Sequence, residues 1–157
     1  MDSNNNSQLQ VLQKAKINVK NELGSLAQVL SWFNQLNHSV VPKYIWMQCQ
    51  LALAEGFTNA VRHAHKNQPP EVSIDIEVAI FPQHLEIRIW DKGEPFDLEG
   101  FMKTMPPVEE NAEGGRGVKI MQRIADLISY KQTADKRNCL LIVKNYPSGI
   151  EENETSN

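Results

Sequence analysis

The chain is predicted to fold as an α+β two-layer sandwich, with one mixed or antiparallel sheet covered on one face by helices. Two adjacent segments point to this, since each alternates apolar and polar residues: Val72, Ile74, Ile76, Val78 and Ile80, then Leu85, Ile87 and Ile89. Only Phe81-Pro-Gln-His84 separates them, which reads as a hairpin turn. A strand of this pattern buries one face and leaves the other polar, as in an antiparallel sheet packed on helices. Three other segments repeat apolar residues at helical spacing. The order along the chain is strand, helix, helix, two strands, a long loop, helix, two strands.

Each element follows from its own pattern. Leu9, Val11, Ile17 and Val19 sit at period two, which predicts one strand, or two short ones, between Leu9 and Lys20. From Asn21 to Asn37, the residues Leu23, Leu26, Ala27, Leu30, Phe33 and Leu36 outline a first helix. Pro42 marks the entry to a second helix over Lys43 to Lys66. Its apolar stripe is Ile45, Cys49, Leu53, Phe57 and Val61. A third helix has Val118, Ile120, Met121, Ile124, Ala125 and Ile128 as its apolar side, and the last two strands are Leu127–Gln132 and Asn138–Asn145. Residues 1–8 and 147–157 are polar and expected to be disordered, leaving one domain over 9–146.

Composition narrows the classes. With 157 residues, 41% hydrophobic and 22% charged, the chain is long enough for one substantial core. A net charge of −3 gives no support to a nucleic-acid binder. No apolar run approaches a membrane span and no signal-peptide core is found, so a soluble, cytoplasmic protein without membrane contact is expected. Cys49 and Cys139 are the two cysteines, and both are expected to be buried free thiols.

Three segments carry candidate chemistry. On the second helix Glu55, Asn59 and His63 form a stripe of their own, and the two-residue offset from Phe57 turns it by about 200° from the apolar stripe. That face can present a carboxylate and an amide to a ligand, and Gly56 and Ala60 keep the surface beside it small. Glu-x-x-x-Asn also describes an ordinary solvated helix face. Asp91 ends a strand and is followed by Gly93. A shielded carboxylate there can accept a hydrogen bond from an exocyclic amine such as that of adenine, with glycine allowing close approach, though Asp-Lys-Gly is equally a good turn sequence. Gly114-Gly-Arg-Gly117 opens the third helix, where exposed backbone N–H groups and the helix dipole favour anions; it also reads as a flexible cap. The spacing fits neither a P-loop nor a Rossmann fingerprint. His63 and His65 point in different directions on a helix and make poor joint metal ligands.

Taken in order, these segments resemble the anti-sigma regulatory factor and serine-protein kinase branch of the GHKL superfamily, over residues 9 to 146. Leu53-Ala-Glu55-Gly-Phe-Thr-Asn59-Ala-Val-Arg-His63-Ala is similar to its N box. Trp90-Asp91-Lys-Gly93-Glu-Pro-Phe96-Asp97 is similar to the first glycine box, and Gly114-Gly-Arg-Gly117-Val-Lys-Ile-Met121 to the second. The resemblance implies a Bergerat-type ATP-binding fold, ATP and Mg²⁺ as cofactors, and stand-alone protein serine/threonine kinase activity. By the same resemblance Glu55 is the general base, Asn59 binds Mg²⁺ through its carbonyl oxygen, and Asp91 bonds the adenine amine. Gly93 allows contact with the base, Gly115 and Gly117 place amides on the phosphates, and His63, Gly114 and Val118 complete the nucleotide-binding set. Arg116 departs from the hydrophobic residue that many members carry there. It either stabilises charge at the γ-phosphate, the favoured catalytic role, or pairs with the acidic loop.

The partners implied are a STAS-domain anti-anti-sigma protein as substrate, a sigma factor or other regulator as a second target, and a second copy in a homodimer. A nucleotide-dependent binding switch without useful kinase activity is the alternative, with a small-molecule ATPase or an unrelated α+β protein behind it.

Overall fold

The computed structural model describes residues 10–36, 39–64, 68–93 and 115–147. Residues 1–9 and 148–157, which hold the termini expected to be disordered save Pro147, and the whole loop between Gly93 and the third helix, residues 94–114, lie outside these residues. Strand β1 spans Gln13–Val19. A single 3-10 turn, Leu23–Ser25, leads into helix α1, Leu26–Leu36, and α2 covers Lys43–Asn59. The chain then makes a wider π turn over Ala60–Ala64. Strands β2, Ile74–Ile80, and β3, His84–Asp91, follow as a hairpin. Helix α3 runs Gly115–Ile124, and β4, Leu127–Gln132, and β5, Asn138–Asn145, close the described chain.

The described strands form one five-stranded sheet in the order β1-β2-β3-β5-β4, with every neighbouring pair antiparallel. Register fixes which residues share a face. Ile17, Ile76, Ile89, Leu140 and Tyr130 lie in one row across all five strands, and Ala15, Val78, Ile87, Ile142 and Ile128 in the next. These rows face the helices. The central isoleucines are sealed from solvent together with Phe33, Leu53, Phe57 and Met121, so one continuous apolar layer lies between sheet and helices. The Phe33 and Trp46 rings stack at 4.1 Å and lock α1 to α2. Trp46 Nε1–H, half-shielded by that packing, donates to Asn34 Oδ1 at 3.2 Å.

The opposite sheet face is polar. Glu77 lies between Lys14 Nζ and Lys16 Nζ at 3.7 and 3.5 Å. Glu86 accepts from Arg88 at 2.7 Å, and Arg137 pairs with Asp75 while lying 5.4 Å over the Trp90 ring.

Four details differ from the expectations above. The buried line of α1 is Val29 and Phe33, while Leu23 and Ala27 are exposed. Leu26, Phe33 and Leu36 keep the expected core side, whereas Leu23 falls in the 3-10 turn before α1, whose three residues per turn set it off the helix's line. Ile128 belongs to β4, because α3 stops at Ile124. The regular part of α2 ends at Asn59, not Lys66. Cys49 is buried, its thiol pushed up to about 12 by burial, but Cys139 is only half-buried because it points to the polar face of the sheet.

Candidate functional site

The candidate residues come together at one end of the helical layer, where α2, the start of α3 and the ends of β3 and β5 meet. Helix α2 is locked in rotation by its buried Ile45, Cys49, Leu53 and Phe57, the stripe expected from the sequence. That rotation leaves Glu55 half-buried on another side of the helix and draws Asn59 almost wholly inside. The wider backbone turn begins at the residue after Asn59, an arrangement that often marks functional sites.

Gly56 plays a different part from the one its neighbours suggest. A Cβ placed there would meet Ile89 Cδ1 at 2.7 Å, Leu140 Cδ2 at 3.2 Å and Met121 Sδ at 3.5 Å. Glycine here lets α2 lie directly on β3, β5 and α3; it does not clear space on the ligand side. Gly117 does. A Cβ on Gly117 would stand 2.5 Å from Glu55 Oε2, so the carboxylate occupies the volume a side chain would fill. Glu55 therefore rests against the first turn of α3, where backbone N–H groups lack helical partners and the dipole is positive. Val118, the next residue, is buried in the core and anchors this turn to the domain, so any role toward a ligand falls to its backbone. The side chains of His63 and Arg116, and all of Gly114, lie outside the described residues.

Asp91 ends β3 and is 2% exposed, which is costly for a carboxylate unless donors surround it. Its Oδ1 accepts from the Gly93 N–H at 3.0 Å and from Asn138 Nδ2 at 2.8 Å, and its Oδ2 accepts from the Tyr130 hydroxyl at 3.2 Å. Asn138 stands directly opposite Asp91 in the β3–β5 register and also donates to the Gly93 carbonyl at 2.9 Å. One amide group thus clamps both the carboxylate and the Asp-Lys-Gly turn. Gln68 Nε2 adds a bond to the Lys92 carbonyl at 3.3 Å. Asn138 is fully buried, yet among the described residues its Oδ1 has no hydrogen-bond partner. A buried acceptor left open beside a clamped carboxylate is a feature that a donor-bearing ligand would complete.

Asn138 and Tyr130 do not stand out in the sequence as site residues. A signal is nonetheless present: Asn138, Leu140 and Ile142 share one phase of β5, and a polar residue in the buried phase of an apolar strand needs a partner. Which partner depends on strand order, which no local pattern reveals.

The arrangement suits a purine nucleotide. A carboxylate and an open amide oxygen can receive an exocyclic amine, and the first turn of α3 can receive phosphates. Among the described residues no group of three or more His, Cys, Asp and Glu could hold a metal ion. A magnesium ion carried by phosphates needs few protein oxygens, and Asn59 can supply one.

A layered α+β domain with a buried strand-end carboxylate and a glycine-opened helix facing a helical glutamate belongs to the nucleotide-binding class. The chain matches the histidine kinase-like ATPase domain family over residues 19–144 and is a member of it. It is 40% identical over 83 residues to the serine-protein kinase RsbW of Oceanobacillus iheyensis, covering 49% of this chain and 52% of that protein. The RsbW of Bacillus licheniformis is 31% identical and that of Listeria monocytogenes serotype 4a is 35% identical, each over 83 residues with the same two shares covered. The chain thus spans about half the length of the curated relatives it matches. Among the described residues no helix is long and apolar enough to cross a membrane.

Proposed function

We propose that this protein is an ATP-dependent serine/threonine-protein kinase and anti-sigma-type regulator. Its substrate in this reading is a STAS-domain antagonist in a partner-switching pathway. The observation that supports it best is the Glu55 carboxylate held against Gly117. A domain that only retained nucleotide would have no use for a carboxylate at the phosphate end of its site.

Bound Mg-ATP supplies the γ-phosphoryl group for transfer. Glu55 accepts the proton of the attacking Ser or Thr hydroxyl and orients that oxygen. Asn59 offers its carbonyl oxygen to Mg²⁺. Asp91, held by Gly93, Asn138 and Tyr130, is pre-set to accept the adenine amine without reorganising. The backbone amides of Gly115, Gly117 and Val118 receive phosphate oxygens, and Arg116 neutralises charge developing at the transferred group. Phosphorylation adds charge at the partner interface and releases the antagonist. The freed kinase then sequesters a sigma factor or comparable regulator. The protein works as a cytoplasmic homodimer in this scheme.

The test is direct. The protein is incubated with Mg-ATP and a STAS-domain protein, and the partner's intact mass is followed for a gain of about 80 Da, one phosphate. Glu55→Gln should abolish the gain while retaining ATP, and Asp91→Asn should weaken ATP binding at least about tenfold. Transfer at the wild-type rate by Glu55→Gln would remove the base assignment. ATP affinity unchanged in Asp91→Asn would remove the adenine assignment.

A further inference from the structure

Helix α2 is apolar on two sides in its first half. One side is the buried stripe described above. The other carries Tyr44, Met47 and Leu51, which are 60%, 63% and 45% exposed. Of the large hydrophobic residues found exposed among the described residues, these three share one helix face. Seven residues from Tyr44 to Leu51 bring the helix back to within about 20° of its starting direction, over a length of about 10 Å. The next residue on that line is Glu55, about one turn further on. Beyond it the same face continues with Thr58 and the exposed Arg62 and is polar. The apolar track therefore ends at the proposed general base and lies on one side of it only.

An apolar track in water, bordered here by the exposed Gln48, is an unfavourable surface for a free monomer to keep, and such patches mark contact sites. Its occupant is constrained by where it ends. A hydroxyl offered to Glu55 has to approach from the side of the carboxylate not taken by Gly117. A protein carrying that hydroxyl must lie along the outer face of α2. We infer that Tyr44, Met47 and Leu51 form the docking track for the phosphoacceptor protein, which covers them with an apolar surface adjoining its target hydroxyl. The polar continuation at Thr58 and Arg62 gives the track a direction, so the partner binds in one orientation. Methionine and tyrosine suit such a surface, since one adapts to an irregular partner and the other brings large contact area at small entropic cost.

This inference rests on the kinase reading, and the experiment separates the two. The triple variant Tyr44→Gln, Met47→Gln and Leu51→Gln replaces exposed residues with good helix formers, so folding and ATP binding should be retained. The probe is the STAS-domain protein of the transfer assay. Its KM is expected to rise at least about tenfold, while kcat at saturation and the Kd for ATP stay within about twofold. The conservative pair Met47→Leu and Leu51→Met should keep the wild-type KM. An unchanged KM in the triple variant overturns the assignment. An unchanged KM with conversion of a sedimenting dimer to monomer gives the track to a second copy of the chain instead. If the wild type binds ATP but transfers nothing to the STAS-domain protein, the kinase reading fails, and this assignment with it.

Discussion

Replacing Gly117 with alanine separates what holds this domain together from what it does. The new Cβ would stand 2.5 Å from Glu55 Oε2, 3.5 Å from Cδ and 3.7 Å from the Glu55 Cβ. Only the outermost atom of the glutamate is crowded, and that atom ends a flexible side chain. To restore a contact of 3.4 Å the carboxylate oxygen must retreat by about 0.9 Å. Gly117 lies inside a helix, where alanine is favoured by up to about 1 kcal/mol. Stability should therefore hold or rise by as much as about 1 kcal/mol in urea unfolding. Transfer should behave differently. A displacement near 1 Å at a proton-accepting group costs on the order of 10²-fold, so kcat for protein phosphorylation should fall by about that factor. Calorimetric titration with ATP, run beside the kinetics, tells whether nucleotide binding is lost as well. Wild-type kcat in Gly117→Ala would refute the placement of the reacting hydroxyl at Glu55. A stability loss above about 1 kcal/mol would refute the claim that only the end of a flexible side chain is in the way.

Three other expectations are as specific. Gly56→Ala gains the same helix propensity but drives its methyl into Ile89 and Leu140, so it should destabilise by about 1–2 kcal/mol; a higher thermal midpoint would contradict the packing described. Asn138→Leu removes donors from both Asp91 and the Gly93 carbonyl and should cost about 2–3 kcal/mol, with ATP affinity falling in parallel; a neutral unfolding curve would show that the clamp is dispensable. For Glu86, burial raises the carboxyl pKa, but hydrogen bonds from Arg88 and His84 outweigh it and hold the group below its ordinary value. A folded pKa below the unfolded one gives stability that is present above the unfolded value and lost as pH falls through the folded value. The acid slope of the thermal midpoint below about pH 4.5 should flatten in Glu86→Gln, and an unaltered slope would remove Glu86 from the account.

How much of this could be read without the structure varies by element. The hairpin β2–β3 follows from strict alternation, because a strand with one buried face has no freedom in its period. The core stripe of α2 was legible for the corresponding helical reason. The side of α1 was legible in Leu26, Phe33 and Leu36, though Val29 was missed and Leu23 falls in the 3-10 turn ahead of the helix; the end of α3 was not legible, since Ile128 continues an apolar run across a helix–strand boundary.

The site divides along similar lines. Glu55, Asn59, Asp91, Gly93 and Gly117 are singled out by their order and by the resemblance their segments bear to family motifs, since each segment alone also reads as a solvated helix face, a turn or a helix cap. The tertiary structure decided what each one touches. Strand order β1-β2-β3-β5-β4 sets Asn138 opposite Asp91, residues 47 positions apart, and so determines what clamps the buried carboxylate. The crossing of α2 and α3 assigns Gly56 to packing and Gly117 to making room for Glu55, a distinction invisible in two glycines of similar helical context. Local preference is encoded along the chain and can be read from it. Hydrogen bonds and close contacts between distant residues depend on register and crossing geometry, and these are settled only when the whole apolar layer is buried at once.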